Sequence, residues 1–214
     1  MADIAFLDQV GVSLGGRPVL RDLTFSLASG EVVGIAGPNG SGKTTLVRLL
    51  ATLIRIHSGR GTVLGADLAS DSVYSIRRSI GMIGHQPALL PELTLTENLV
   101  HRARLAGFDE SMVGWSLGVV GLAGAAERKA SASSFGMQRR VEVAHLLLSG
   151  PKLLLLDEAT SGLDRSAREL ISALADRTTS AGGAVVMVSH DEAQLGDVCH
   201  RMLRLELGRL EELE

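Results

Sequence analysis

Gly37-Pro38-Asn39-Gly40-Ser41-Gly42-Lys43-Thr44-Thr45 decides how this chain is read. Two glycines with four residues between them, then lysine and threonine, form the pattern of a phosphate-binding loop. The flanks agree with it. Glu31-Val32-Val33-Gly34-Ile35-Ala36 reads as a buried strand, and Thr45-Leu46-Val47-Arg48-Leu49-Leu50 has helical apolar spacing. The loop therefore joins a strand end to a helix N-terminus, where unpaired backbone N–H groups and the helix dipole favour an anion. Its glycines let the backbone wrap a phosphate with no Cβ in the way. Lys43 can set its ammonium against β- and γ-phosphates, and the Thr44 hydroxyl can ligate Mg²⁺. A glycine-rich turn with a chance lysine would not come with both flanks. The stretch is built for a nucleoside triphosphate.

Composition narrows the rest. A chain of 214 residues is long enough to bury a sizeable core in one or two domains. Apolar residues make up 45% and charged residues 21%, ordinary for a globular protein. The net charge of −3 supplies no basic field to draw in nucleic acid or anionic lipid, so no nucleic-acid partner is expected. Cys199 is the only cysteine, which excludes an internal disulfide and suits a reducing cytoplasm. Asp3 and Asp8 at the N-terminus do not read as a signal peptide. The run Leu153-Leu154-Leu155-Leu156 is far below the roughly 20 residues a spanning helix needs, so any membrane role is expected to pass through a partner.

Taken in order, residues 4–10 and 19–27 read as strands, the second with Leu23, Phe25 and Leu27 on one face and Asp22, Thr24 and Ser26 on the other. Gly15-Gly16 marks the turn between them. Short strands follow at 62–64 and 79–84, the second ended by Gln86-Pro87. Residues 88–149 lack a strand pattern. Thr94 and Glu97 have capping-box spacing, and further helices are expected from Glu110 to Val120 and from Gly136 to Ser149. From Pro151 strands and helices alternate: strand 152–156, helix 165–178, strand 184–188, helix 191–197 and strand 201–206. That alternation predicts an α/β fold with a mostly parallel sheet. The acidic end Glu211-Glu212-Leu213-Glu214 reads as a solvated terminus.

Lys152-Leu153-Leu154-Leu155-Leu156-Asp157-Glu158 is an apolar strand ending in two carboxylates. Asp157 is expected beside the phosphate loop, holding Mg²⁺ through water, and Glu158 is expected to take a proton from a water attacking the γ-phosphate. With these residues in place the chain resembles an ATP-binding-cassette (ABC) nucleotide-binding domain from Ile4 to about Leu210. The resemblance implies a P-loop NTPase fold with an N-terminal antiparallel β-layer and an inserted helical subdomain. It implies a single domain over 1–214, with a catalytic core at 1–87 and 150–214 and a helical signature subdomain at 88–149. It further implies that Gln86 touches Mg²⁺ and the attacking water, that Asp164 in Ser161-Gly162-Leu163-Asp164 lies at a dimer seam, and that His190 contacts the γ-phosphate.

Two positions depart from the family pattern. The signature, usually Leu-Ser-Gly-Gly-Gln, falls at Ser133-Ser134-Phe135-Gly136-Met137 and is fixed in register by Gln138-Arg139-Arg140-Val141. Ser134 and Gly136 keep a hydroxyl and a backbone N–H for the γ-phosphate held by an opposite subunit. Phe135 and Met137 replace a glycine and the glutamine, and a phenyl ring there would reshape the composite site unless it rotates outward. Leu14 stands where the family commonly stacks an aromatic on adenine; leucine can cover the ring but forfeits a stacking contribution of about 0.5–1.5 kcal/mol.

The resemblance implies hydrolytic ATP chemistry with Mg²⁺ in a homodimer or a heterodimer with a second cassette. It also implies a transmembrane ABC permease subunit as partner and a cytoplasmic, peripheral place on the inner face of the cell membrane. Gly84-His85-Gln86-Pro87, Leu90-Pro91-Glu92-Leu93-Thr94, Glu97-Asn98-Leu99 and Gln138-Arg139-Arg140-Val141 also resemble the haem-exporter ATPases of cytochrome c maturation, which would make haem the cargo. Two other classes are weighed against the transporter. Soluble cassettes acting on ribosomes or DNA carry two cassettes or a long coiled-coil insert, and this sequence has neither. A small-molecule kinase would not explain Ser134, Gly136, Asp164 and His190 in this order. A degenerate cassette that binds ATP with little hydrolysis is a variant of the first class: Phe135 and Met137 argue for it, and Lys43, Asp157, Glu158 and His190 argue against it.

Overall fold

A computed structural model describes residues 3–196 and 198–213. They divide into two compact units, one of residues 1–82, 151–159 and 177–214, the other of residues 83–150 and 160–176. The cut differs from an insert at 88–149, because residues 160–176 cluster with the helical unit. An ion pair within that unit, Arg140 to Asp164 at 3.6 Å, is one of the ties.

In the first unit, β1 (Asp3–Leu14) and β2 (Arg17–Ala28) form an antiparallel hairpin, with Gly15 and Gly16 at positive φ in the turn. The alternation of β2 places Leu23, Phe25 and Leu27 in the core and leaves Asp22, Thr24 and Ser26 exposed. β4 (Ser58–Val63) and β5 (Ala66–Asp67) extend this layer in the order β2-β1-β4-β5, all antiparallel.

The second sheet is built from β3 (Val32–Ala36), β6 (Ile80–Ile83), β7 (Leu153–Asp157), β8 (Ala184–Val188), β9 (Arg201–Glu206) and β10 (Arg209–Glu212), ordered β10-β9-β3-β8-β7-β6. The pairs β3–β8, β3–β9 and β7–β8 are parallel. β3 and β7 are buried along their whole length, as strands covered on both faces must be. Helix α1 (Lys43–Leu50) packs Leu46, Val47, Leu49 and Leu50 into the same core, each removal from water contributing about 1.5–3 kcal/mol. A one-turn helix α2 (Val73–Ile76) precedes β6, and α7 (Glu192–Gly196) follows β8. The expected helix 191–197 ends on Asp197, which lies outside the described residues.

The acidic end is not a free terminus. Leu207 and Gly208, both at positive φ, turn the chain back so that β10 pairs antiparallel with β9. Arg201 anchors it, with Nη1 donating to Glu212 Oε1 at 3.2 Å and Nε to Glu31 Oε1 at 2.9 Å. Glu211 and Glu212 are exposed, as a solvated end would be, but their backbone pairing is invisible in composition.

The second unit is helical. α3 (Leu95–Ala106) starts at Thr94, whose hydroxyl accepts from the Glu97 N–H while Glu97 accepts from the Thr94 N–H, the capping box anticipated from the spacing. A 3-10 turn at Glu110–Met112 runs into α4 (Val113–Val119), shorter than the helix expected from 110 to 120. α5 (Phe135–Ser149) and most of α6 (Arg165–Ser180) complete the unit. Leu95, Leu99, Ala103, Val113, Leu117, Val141 and Ala144 are buried where α3, α4 and α5 meet.

Candidate functional site: a phosphate-loop cavity

β3 ends at Ala36 and α1 begins at Lys43, so six residues turn the chain through the loop. Two glycines are needed there by geometry. Gly37 has φ 152°, and a Cβ on it would collide with the Leu205 carbonyl oxygen. Gly42 has φ 109°, and a Cβ would sit 2.9 Å from Leu20 Cδ2. The loop backbone is thus pressed against β2 and β9. No acidic residue lies in the first turn of α1 and no side chain caps it, so the positive end of the helix dipole is left for a ligand.

A cavity of about 230 Å³ is lined by Val19, Asn39, Gly40, Gly42, Lys43, Thr44, Thr45, Asp157 and Glu158. It gathers the phosphate loop and the carboxylate pair from positions more than a hundred residues apart in sequence. Lys43 is buried, and its Nζ donates to the Gly37 carbonyl at 2.6 Å and the Pro38 carbonyl at 2.9 Å. Ser41 Oγ is buried without a hydrogen-bond partner. A buried orphan hydroxyl costs about 1–3 kcal/mol, which an acceptor ligand in the loop would recover.

Asp157 closes β7 and is 5% exposed. Glu158 follows at φ 53°, a left-handed conformation that costs a non-glycine residue about 1–3 kcal/mol. Its N–H donates to the Val188 carbonyl at 2.9 Å, which holds the bend. The Glu158 carboxylate accepts from the His190 N–H at 2.9 Å and stands 2.9 Å from His190 Nδ1, with Ser189 Oγ at 3.5 Å. Strain of this kind re-aims a side chain off the strand line.

Among the described residues no group of three or more His, Cys, Asp or Glu gathers to hold a metal ion. The donors at the cavity are the Thr44 hydroxyl and the Asp157 carboxylate, hard oxygens that fit Mg²⁺ completed by phosphate and water.

Leu14 is 42% exposed where the β1–β2 hairpin turns, and it is absent from the cavity lining. Val19, which sequence reasoning missed, lines it instead. Its residue type carries no signal; the clue is steric, since Val19 O and Cγ1 lie 3.4 and 3.5 Å from where a Cβ on Gly42 would be.

The remaining expected residues belong to the second unit. Gln86 is exposed in the loop after β6. Ser134 caps α5, its Oγ accepting from the Met137 N–H at 3.3 Å. Beyond its two chain neighbours and its own helix backbone, nothing lies within 4 Å of where a Cβ on Gly136 would be. The Phe135 ring lies 5.2 Å from the guanidinium of Arg139, one turn further along the helix. Asp164 has a local task, with Oδ1 accepting from the Ala167 N–H at 2.7 Å as the cap of α6.

The ABC transporter family model matches residues 20–161. A methionine import ATP-binding protein of Cupriavidus necator is 38% identical over 206 residues, 92% of this chain and 60% of its own length. A Nod factor export ATP-binding protein I of Bradyrhizobium diazoefficiens is 35% identical over 208 residues, 94% of this chain and 68% of its own length. The chain thus spans about two thirds or less of these relatives. A solved dimeric ATP-binding cassette in a post-hydrolysis state, bound to ADP and Pi, superposes with a TM-score of 0.85 at 26% identity, covering 98% of this chain and 99% of that one. A phosphate loop and a strand-end carboxylate pair on one cavity, inside an α/β cassette with a helical unit, place the chain in the ABC transporter family as an ATP-binding cassette of the ATPase kind.

Proposed function

We propose that the chain is the energy-supplying subunit of a membrane transporter, binding ATP with Mg²⁺ and hydrolysing it in a dimer of cassettes. The observation that carries the reading is the single cavity shared by Lys43, Thr44, Asp157 and Glu158. Lys43 exchanges its two loop carbonyls for phosphate oxygens, a stronger charge-assisted partner. Asn39, Gly40, Ser41, Gly42, Lys43, Thr44 and Thr45 enclose the phosphates, and Ser41 gains the acceptor it lacks. Thr44 and Asp157, with Gln86 as a further donor, would hold Mg²⁺, which would supply charge neutralisation. Glu158 accepts the proton of the attacking water, and His190, hydrogen-bonded to the same carboxylate, orients it and meets the γ-phosphate.

The dimeric solved cassette supports a partner cassette. A homodimer or a heterodimer with a second cassette would bring Ser134 and Gly136 of one chain to the nucleotide of the other, with Asp164 at the seam. Among the described residues no helix is long and apolar enough to cross a membrane. In this reading a transmembrane permease subunit supplies the membrane path, with this chain peripheral on the inner face. Cargo and direction are set there: the reported relatives include an importer and an exporter, and haem export finds no support among them. Lys43, Asp157 and Glu158 on one cavity, with His190 against the Glu158 carboxylate, favour a hydrolysing cassette over a degenerate one.

Glu158→Gln tests the reading. It keeps the shape and the contact to His190 but removes the base, so ATP should still bind while kcat falls by about 10²- to 10⁴-fold. Unchanged turnover in the variant would remove Glu158 from the chemistry.

A further inference from the structure

Helix α5 carries an ion pair that the phosphate chemistry does not use. Arg139 Nη1 donates to Glu142 Oε2 at 2.7 Å, and the two side chains are 1% and 5% exposed. Their other polar atoms converge on one loop. Arg139 Nη2 donates to the His85 carbonyl at 3.0 Å, and Glu142 Oε1 accepts from the Ala88 N–H at 3.0 Å. Arg102 of α3 donates to the Ala88 carbonyl. The Phe135 ring lies over Arg139 from the first turn of the same helix. Gln86 and Pro87 stand between the two anchored residues, and Gln86 itself is exposed.

A buried ion pair contributes little net stability, because desolvation offsets the attraction. Here the cost is visible: burial lowers the pKa of Arg139 and raises that of Glu142, and Arg139 Nε has no partner. An apolar pair would fill the same space without that cost. What an apolar pair would not do is hold a carbonyl and an N–H three residues apart in a polar loop.

We propose that Arg139 and Glu142 are positioning residues that lock the 85–88 loop, and with it Gln86, to helix α5. The proposal rests on the ATPase reading for what Gln86 does. α5 is a rigid rod of 15 residues, capped by the Ser134 that would grip the opposite cassette's nucleotide. A displacement of that cap is then shared by the loop carrying Gln86. One helix links capture of one nucleotide to the readiness of Gln86 at the other.

The test replaces both charges together, Arg139→Met with Glu142→Leu, so that neither member of the pair is left buried without the other. The full chain should keep its fold and its KM for ATP within about twofold, while kcat falls about 10- to 100-fold. In a Gln86→Ala background the same two substitutions should change kcat by less than about twofold, since their effect passes through Gln86. Equal losses in both backgrounds, or full kcat in the folded double variant, would overturn the proposal. Amide exchange at residues 84–90 gives a readout free of turnover: in the Glu158→Gln chain Mg-ATP should protect this loop by about tenfold, and with Arg139→Met/Glu142→Leu added the protection should be lost. Equal protection in both would also overturn it. If Gln86→Ala alone leaves hydrolysis intact, the assignment of Gln86 fails separately, and the exchange result still decides the anchoring.

Discussion

Two helix N-termini in this chain are offered to phosphate, and they are built in opposite ways. At α1 the cap is Gly42, which has no side chain to satisfy the first N–H groups, and the preceding glycine is forced by the Leu205 carbonyl. At α5 the cap is Ser134, whose hydroxyl already accepts a backbone N–H, and bulky Phe135 and Met137 flank it. The first terminus stands on an apolar core; the second stands on buried Arg139 and Glu142 and half-buried His145. A terminus left wholly unsatisfied binds its ligand alone. A terminus partly satisfied by its own cap is suited to completing a site that another chain has begun.

The largest effect expected from that contrast is at α1. Lys43→Met leaves the glycine cradle but removes the one cation in the cavity lining, so ATP affinity should fall on the order of 100-fold in equilibrium binding, equivalent to losing two charge-assisted hydrogen bonds. Ser134→Ala should leave the affinity of the isolated chain unchanged. Comparable losses at both positions would erase the distinction between a self-sufficient and a completing terminus.

The polar foundation of α5 predicts a pH sensitivity that α1 lacks. Burial, and then the nearby Arg102 charge, lower the His145 pKa from 6.5 to about 4, and its Nδ1 is buried without a partner. A group whose folded pKa lies below its unfolded value contributes stability above the unfolded value and loses it as pH falls toward the folded one. Thermal melts should therefore show Tm dropping as pH goes from 7 to 5, with the drop reduced in His145→Gln. A His145→Gln chain with the parent's pH profile would place the sensitivity elsewhere.

Much of the first region was legible because its constraints are contiguous. The glycines, Lys43 and Thr44 sit in one stretch, and an apolar run ending in Asp157-Glu158 has few alternatives to a buried strand. Val19 was not legible, since its place at the cavity follows from strand pairing rather than from residue type. Nor was β10, whose exposed glutamates hide a backbone ladder and an Arg201 anchor. The Arg139–Glu142 clamp reaches partners 54 residues away, and no local periodicity encodes such a contact. Asp164 shows a different limit. The family pattern marked it for a dimer seam, while the structure gives its carboxylate the cap of α6. Asp164→Ala should cost about 1 kcal/mol in denaturant unfolding and Asp164→Asn far less. Equal stability of Ala and parent would remove the capping role.

The smallest effect separates the two readings of Phe135. As a glycine replacement it would obstruct the backbone of Gly136; as a partner of Arg139, its ring lies 5.2 Å from that guanidinium. An aromatic–guanidinium contact at a partly exposed position contributes about 0.5–1 kcal/mol. Phe135→Ala should therefore lower Tm slightly and leave hydrolysis within about threefold of the parent, because no phosphate contact is removed. Phe135→Leu, which keeps apolar cover without the quadrupole, should fall between the two in stability. A rise of tenfold or more in turnover on truncation would mean that the ring shields the partner's nucleotide after all, and that α5 is held back by its own first residue rather than completed by the opposite chain.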